Sequence, residues 1–161
     1  MTISTKITGL IISLLICFIV AGLGALTSIN AGEFYAALAK PDWAPPAWLF
    51  GPAWTVLYII MAIASWLVWR QEGFGAAQIA LSLYLTQLVF NALWSWLFFS
   101  LHNGMWAFID ISLLWVSLVI LIYQFWKISI VASIMLLPYI LWVSFATMLN
   151  FSIWQLNPEL L

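Results

Sequence analysis

Five apolar runs constrain this chain more than any other feature: residues 7–29, 48–69, 76–101, 105–126 and 128–154. Each exceeds the about 20 residues that a helix needs to cross a bilayer. The breaks between them are short and polar, namely Arg70-Gln71-Glu72-Gly73, His102-Asn103-Gly104 and the surroundings of Lys127. With 66% hydrophobic and 6% charged residues, the chain could not clothe a water-facing surface, because soluble domains carry about a quarter charged residues. The expectation is an all-α integral membrane protein, a five transmembrane helix bundle. The first run, after Lys6, is too long for a signal-peptide core and ends in no small-x-small cleavage site, so it reads as a retained helix. No linker, low-complexity tract or internal repeat divides the chain, and residues 1–161 read as a single domain.

Charge narrows the partners. A net charge of −1 offers no basic patch for nucleic acid, which leaves the lipid bilayer as the evident partner. The lone Cys17 sits in an apolar run, forms no internal disulfide and reads as a packing residue. Lys6, Arg70 and Lys127 fall on one side of the five spans, and Lys40 alone on the other. The positive-inside rule then places the amino terminus in the cytoplasm and the long connection outside, in a bacterial membrane.

That long connection, 30–47, is chemically distinct. Between Lys40 and Trp54 lie four of the six prolines and three of the twelve tryptophans. Proline fixes φ and removes a backbone donor, so the stretch is neither ordinary helix nor sheet strand. Pro41, Trp43, Pro45, Pro46 and Trp48 read as a stiff aromatic lid at the membrane surface. Because successive helices reverse direction, Trp54, Trp94, Trp106, Asp110, Asn150 and Trp154 share the half of the membrane under this lid, with Gln87, Asn91 and Trp142 nearer the midplane. The opposite half is aliphatic, with a belt of Trp66, Trp69 and Trp126. The asymmetry predicts a cavity opening toward the lid.

Helical spacing agrees: Gln87, Asn91 and Trp94 share one face, Pro138, Trp142, Ala146, Leu149 and Asn150 another, and Trp54 pairs with Tyr58. Polar side chains inside a bilayer face the bundle interior or a wet cavity. Two readings stand for each. The amides either join helices, at about 0.6 kcal/mol per bond, or face a ligand. Asp110 either complements the start of its helix or contacts that ligand. Trp48, Trp106 and Trp154 also suit interfacial anchoring. Pro138 is expected to kink the last helix and make room beside Trp142. No phosphate loop or metal-spaced His/Cys cluster is present, and one turn histidine makes axial haem ligation unfavourable.

The run Lys40-Pro41-Asp42-Trp43-Ala44-Pro45-Pro46-Ala47-Trp48, then Gly51-Pro52-Ala53-Trp54 and Leu57-Tyr58, resembles the signature of the TspO/MBR family of tryptophan-rich sensory and mitochondrial translocator (peripheral benzodiazepine receptor) proteins. Gln87 to Asn91, Trp106 to Asp110, Pro138 to Trp142 and Phe145 to Asn150 carry the likeness along the chain. The resemblance implies a five-helix bundle, commonly a homodimer, with a pocket under the first loop that takes protoporphyrin IX, haem, benzodiazepine-like ligands and, in animals, cholesterol. Position by position it implies ligand contacts at Trp54, Tyr58, Asn91, Trp94, Trp106, Asp110, Trp142, Ala146, Leu149 and Asn150. Trp54 and Trp142 match tryptophans implicated in light-dependent porphyrin breakdown. The cholesterol motif is incomplete, because Phe151 and Gln155 stand where a tyrosine and a basic residue belong. That departure and the missing basic tail suggest a bacterial member.

The leading expectation is a membrane sensor or receptor that binds tetrapyrroles, with a role in their transport or regulation and with no obligatory cofactor or metal. The propionates of a porphyrin would sit near the loop, where Lys40 is the evident cation. The alternatives are a light- and oxygen-dependent porphyrin-degrading enzyme using Trp54 and Trp142, and a regulatory membrane subunit without a small ligand.

Overall fold

The computed structural model describes residues 2–29 and 31–161, so position 30, the first of the long connection, lies outside the described residues. Five helical segments are long and apolar enough to span a membrane: Ile3–Thr27, Ala47–Ala76, Gln78–Ser100, Gly104–Ile128 and Ile130–Leu156. They follow the five apolar runs closely. The protein is an all-α, multi-pass integral membrane protein.

Helix α1 (Ile3–Thr27) is capped by Thr2, whose side chain accepts from the Thr5 N–H. A short helix α2 (Ala31–Ala37) follows, where the sequence suggested only loop. Alanine and glutamate favour it, and the prolines that forbid helix begin only at Pro41. A 3₁₀ turn (Ala47–Leu49) leads into α3 (Phe50–Ala76). This helix continues through Arg70-Gln71-Glu72, where a break was expected, and kinks at Gly73, whose φ of 72° suits only glycine without strain. Helix α4 (Gln78–Ser95) ends in a π turn, Trp96–Ser100. Asn103 caps α5 (Gly104–Ile128). The last span is interrupted as Pro138 predicts: α6 (Ile130–Met135) stops at Leu136 and α7 (Leu137–Leu156) restarts with proline in its first turn.

Around the bundle the neighbours run α1, α3, the α6–α7 span, α5, α4 and back to α1. At the amino-terminal end α1 packs tightly on α3. The Trp66 indole donates to the Lys6 carbonyl (2.9 Å), and Ser13 reaches the Ala62 carbonyl (2.8 Å) and the Ser65 hydroxyl (2.6 Å). A Cβ at Gly9 would overlap the Trp69 ring, so only glycine permits this approach. On α1, Cys17 is fully buried and its thiol shares a 2.8 Å hydrogen bond with Tyr84, a packing role. Isoleucine and leucine side chains cover the outer face of α1 and remain exposed, a surface suited to lipid. At the same end of the bundle Arg70 lies 4.6 Å over Trp66 and Lys127 4.2 Å over Tyr123. These pairs sit where an interfacial belt of aromatic and basic residues belongs.

Candidate functional site

Beyond the Ser13 hydrogen bonds, a cavity of about 650 Å³ opens between α1, α2, α3 and α4. Its inner wall is aromatic. Trp54 lies 5.8 Å from Tyr58, tilted by 37°, and 6.1 Å from Tyr139 edge-on. Phe50, Trp94 and Phe99 complete that wall. The outer wall is made of small residues, Ala21, Gly22, Gly24 and Ala25 of α1. No charged side chain lines the cavity among the described residues.

The polar residues of the helices form a chain that begins in this wall, at Tyr58 and Asn91, and runs behind it. The Tyr58 hydroxyl donates to Asn91 Oδ1 (2.5 Å), Asn91 Nδ2 donates to the Tyr139 hydroxyl (2.8 Å), and that hydroxyl donates to Gln87 Oε1 (2.8 Å). Tyr58, Gln87, Asn91 and Tyr139 are all buried. Three helices thus satisfy one another's polar groups within the bundle, which is how a buried amide avoids a desolvation cost. A second link joins α4 to α7 and α5: the Trp94 indole donates to Asn150 Oδ1 (2.9 Å), and Asn150 Nδ2 donates to the Gly104 carbonyl (3.1 Å). This fixes the Trp94 ring, which stacks on Phe98 at 5.5 Å.

The cover is held by specific bonds. Tyr35, on α2, donates to the Pro45 carbonyl (2.9 Å); burial pushes its phenol above the ordinary range, so it remains a neutral donor. Asn157, past the end of α7, pairs with both backbone groups of Ala39: its Oδ1 accepts from the N–H (2.8 Å) and its Nδ2 donates to the carbonyl (2.9 Å). Lys40 spends its ammonium on the carbonyls of Tyr35 (2.7 Å), Leu38 (2.7 Å) and Ala36 (3.3 Å), capping the carboxyl end of α2. It is thus committed to backbone and not turned toward a ligand carboxylate. In the lid, the Pro41 carbonyl accepts from Ala44 (2.9 Å), Trp43 packs edge-on against Phe145 (5.7 Å), and Pro46 caps the turn carrying Trp48, which is 71% exposed.

The site residues expected from sequence separate into groups. Trp54, Tyr58, Asn91 and Trp94 line the cavity. Ala146, Leu149 and Asn150 instead border a void of about 20 Å³ on the far side of Phe50, Trp94 and Phe99. Trp142 packs on Phe50 (6.1 Å) and Phe145 (5.6 Å), so it backs the cavity wall without lining it, and its buried indole N–H has no partner among the described residues. Trp106 is 54% exposed on the outer surface. Asp110 is buried within α5 with its Oδ2 unpartnered among the described residues, away from the cavity lining. The α5 and α7 residues are separated from the cavity because large rings fill the bundle axis. Phe18, Ala21, Gly22, Ala25, Gly32, Tyr35 and Phe99 line the cavity without having been singled out as ligand contacts. The legible signal was the Ala-Gly-Leu-Gly-Ala run at 21–25, a helix face lacking side-chain volume.

Comparison with known proteins identifies the lineage. The chain is 39% identical over 148 residues to the tryptophan-rich protein TspO of Chlorobaculum tepidum, covering 89% of this chain and 92% of that protein. It is 37% identical over 146 residues to protein CrtK of Rhodobacter capsulatus, covering 88% of each. It is 36% identical over 127 residues to the human translocator protein, covering 78% of this chain and 75% of that one. The family model described as TspO/MBR matches residues 13–155. Five apolar spans and an aromatic cavity inside the bundle accompany that match: the chain belongs to the TspO/MBR family.

Proposed function

We propose that the protein is a membrane receptor or carrier for flat hydrophobic ligands of the tetrapyrrole class, protoporphyrin IX or haem, held in the cavity between α1, α2, α3 and α4. The observation that carries this reading is the cavity itself. Its volume of about 650 Å³ lies within the roughly 300–1,000 Å³ of small-molecule sites, and it joins aromatic walls to few polar groups, as such sites do. Trp54, Tyr58 and Trp94 bring aromatic rings to its lining, suited to a planar ligand. Similarity to proteins named as a tryptophan-rich sensory protein and a translocator protein supports a sensing or translocating role. With Lys40 engaged and no charged residue in the lining, the ligand's carboxylates remain at the mouth of the cavity.

The test is titration of the purified protein in lipid nanodiscs with protoporphyrin IX, followed by the shift of the porphyrin absorption band. Saturable binding is expected. Removing the Trp54 ring forfeits an aromatic contact of about 1.5 kcal/mol beyond its area, so Trp54→Ala weakens binding about tenfold or more. Trp142→Ala acts only through Phe50 and has a smaller effect, within about threefold. Absence of saturation, or a Trp54→Ala variant with native affinity, would overturn the reading.

A further inference from the structure

The cavity is sealed unequally on its sides. Toward the aqueous phase α2 and Ala47 border it, and α2 is tied to the Pro-rich segment by Tyr35 to Pro45, with Asn157 holding both backbone groups of Ala39 just after it. Toward α4 the wall is also joined: the Cys17 thiol meets Tyr84, the Ser100 hydroxyl donates to the Thr27 carbonyl (3.4 Å), and a Cβ at Gly24 would lie 3.4 Å from Ser95 Oγ. Between α1 and α3 the situation differs. Every hydrogen bond that joins these helices among the described residues lies at Ser13 or before it in α1. In the lid-side half their facing residues are Phe18, Gly22 and Ala25 on one side and Gly51 and Thr55 on the other, all exposed and all lining the cavity. A Cβ at Gly22 or Gly51 would meet nothing within 4 Å.

These residues lie within the two membrane-spanning helices, so their exposed side faces lipid. We infer that the gap between α1 and α3 is a lateral portal through which a membrane-dissolved amphiphile passes directly between the bilayer and the cavity. Entry through the lid breaks the hydrogen bonds of Tyr35 and Asn157, whereas entry through the portal breaks none. Apolar passage there also keeps the ligand out of water, where a flat hydrophobic plate is poorly solvated. The ligand's carboxylates stay at headgroup depth, near the end of α1, while its rings slide past Gly22 and Gly51. The inference rests on the ligand reading above for its cargo, but not for the existence of the opening.

The test has a ligand-free arm and a kinetic arm, both on the full chain in lipid vesicles. A nitroxide is attached at Ala21→Cys, in a Cys17→Ser background, and its relaxation by oxygen, which dissolves in lipid, is compared with that by a water-soluble nickel chelate. The portal predicts strong oxygen and weak nickel access. Nickel access equal to that of oxygen, or a label closed to both, would overturn it. In the kinetic arm, Gly22→Phe is expected to slow association and dissociation of protoporphyrin IX together, each at least fivefold, while Asn157→Ala leaves both within twofold. Faster exchange in Asn157→Ala with no effect of Gly22→Phe assigns entry to the lid and refutes the portal. If protoporphyrin IX does not bind the native protein, the ligand reading fails, and the oxygen and nickel measurement still decides the portal.

Discussion

Tyr139→Phe removes one oxygen from the centre of the bundle, and its cost can be worked from the contacts. The Tyr139 hydroxyl accepts from Asn91 Nδ2 and donates to Gln87 Oε1, both at 2.8 Å, and all three residues are buried. Phenylalanine keeps the ring, including its edge-on contact with Trp54 at 6.1 Å, so packing is nearly constant. In a soluble core, two stranded polar groups would cost about 1–3 kcal/mol each. Inside a membrane the unfolded reference state also finds partners, and measured interhelical bonds average about 0.6 kcal/mol with a maximum near 1.7. Two bonds therefore give about 1.2 kcal/mol at the average and about 3.4 at the upper end. The assay is reversible unfolding in mixed micelles with increasing denaturing detergent, for Tyr139→Phe, Gln87→Leu and the double variant. Among the described residues the Gln87 side chain makes one further hydrogen bond, a weak 3.8 Å approach of its Nε2 to the Met61 sulfur. The double variant should therefore lose less than the sum of the singles by about 0.6 kcal/mol or more. A Tyr139→Phe loss below about 0.3 kcal/mol, or strict additivity, would refute the idea that this chain of hydrogen bonds holds α3, α4 and α7 together.

The cover and the helix packing give three further expectations. Asn157→Ala removes both bonds to Ala39 and should raise amide hydrogen exchange across α2 and the lid, with the transmembrane helices unaffected; unchanged exchange would show that the lid is held by other means. Lys40→Met uncaps α2 at a cost of about 0.5–1 kcal/mol, visible as faster α2 exchange, and leaves protoporphyrin affinity unchanged because the ammonium serves backbone carbonyls; a tenfold affinity loss would reassign it to the ligand. Gly9→Ala drives a methyl into the Trp69 ring and should destabilise by about 1–3 kcal/mol, with stability largely recovered when Trp69→Leu is added.

The spans were legible because lipid imposes a length and a composition on any helix that crosses it, and the five apolar runs met both. The interruption before Leu137 was legible for the same local reason: Pro138 cannot donate to the preceding turn. Helix α2 was hidden because the prolines that follow it dominate the reading of the whole connection, although its own residues, Ala31 to Ala37, contain none. The continuation of α3 past Arg70 was hidden by charge, which ends the apolar run without ending the helix.

Within the site, spacing grouped Gln87 with Asn91 and Trp94, and Trp54 with Tyr58, since a single helix fixes which side chains share a face. It could not say which faces meet. Trp106, Asp110, Trp142 and Asn150 lie in the same half of the bundle as Trp54, yet none of the four lines the cavity. The tertiary structure decides this by the order of helices around the bundle and by the volume of Phe50, Trp94 and Phe99, which wall α5 and α7 off from the open space. The fate of Lys40 is decided locally instead: once α2 forms, the Tyr35 carbonyl of its last turn and the Leu38 carbonyl just beyond it lie 2.7 Å from the ammonium. Sequence by itself determined a membrane bundle of five helices and part of one cavity wall, Trp54, Tyr58, Asn91 and Trp94, because solvent and backbone geometry act on each segment separately. Where the pocket lies, what seals it and which side is left open depend on contacts between segments, and those exist only once the helices have packed.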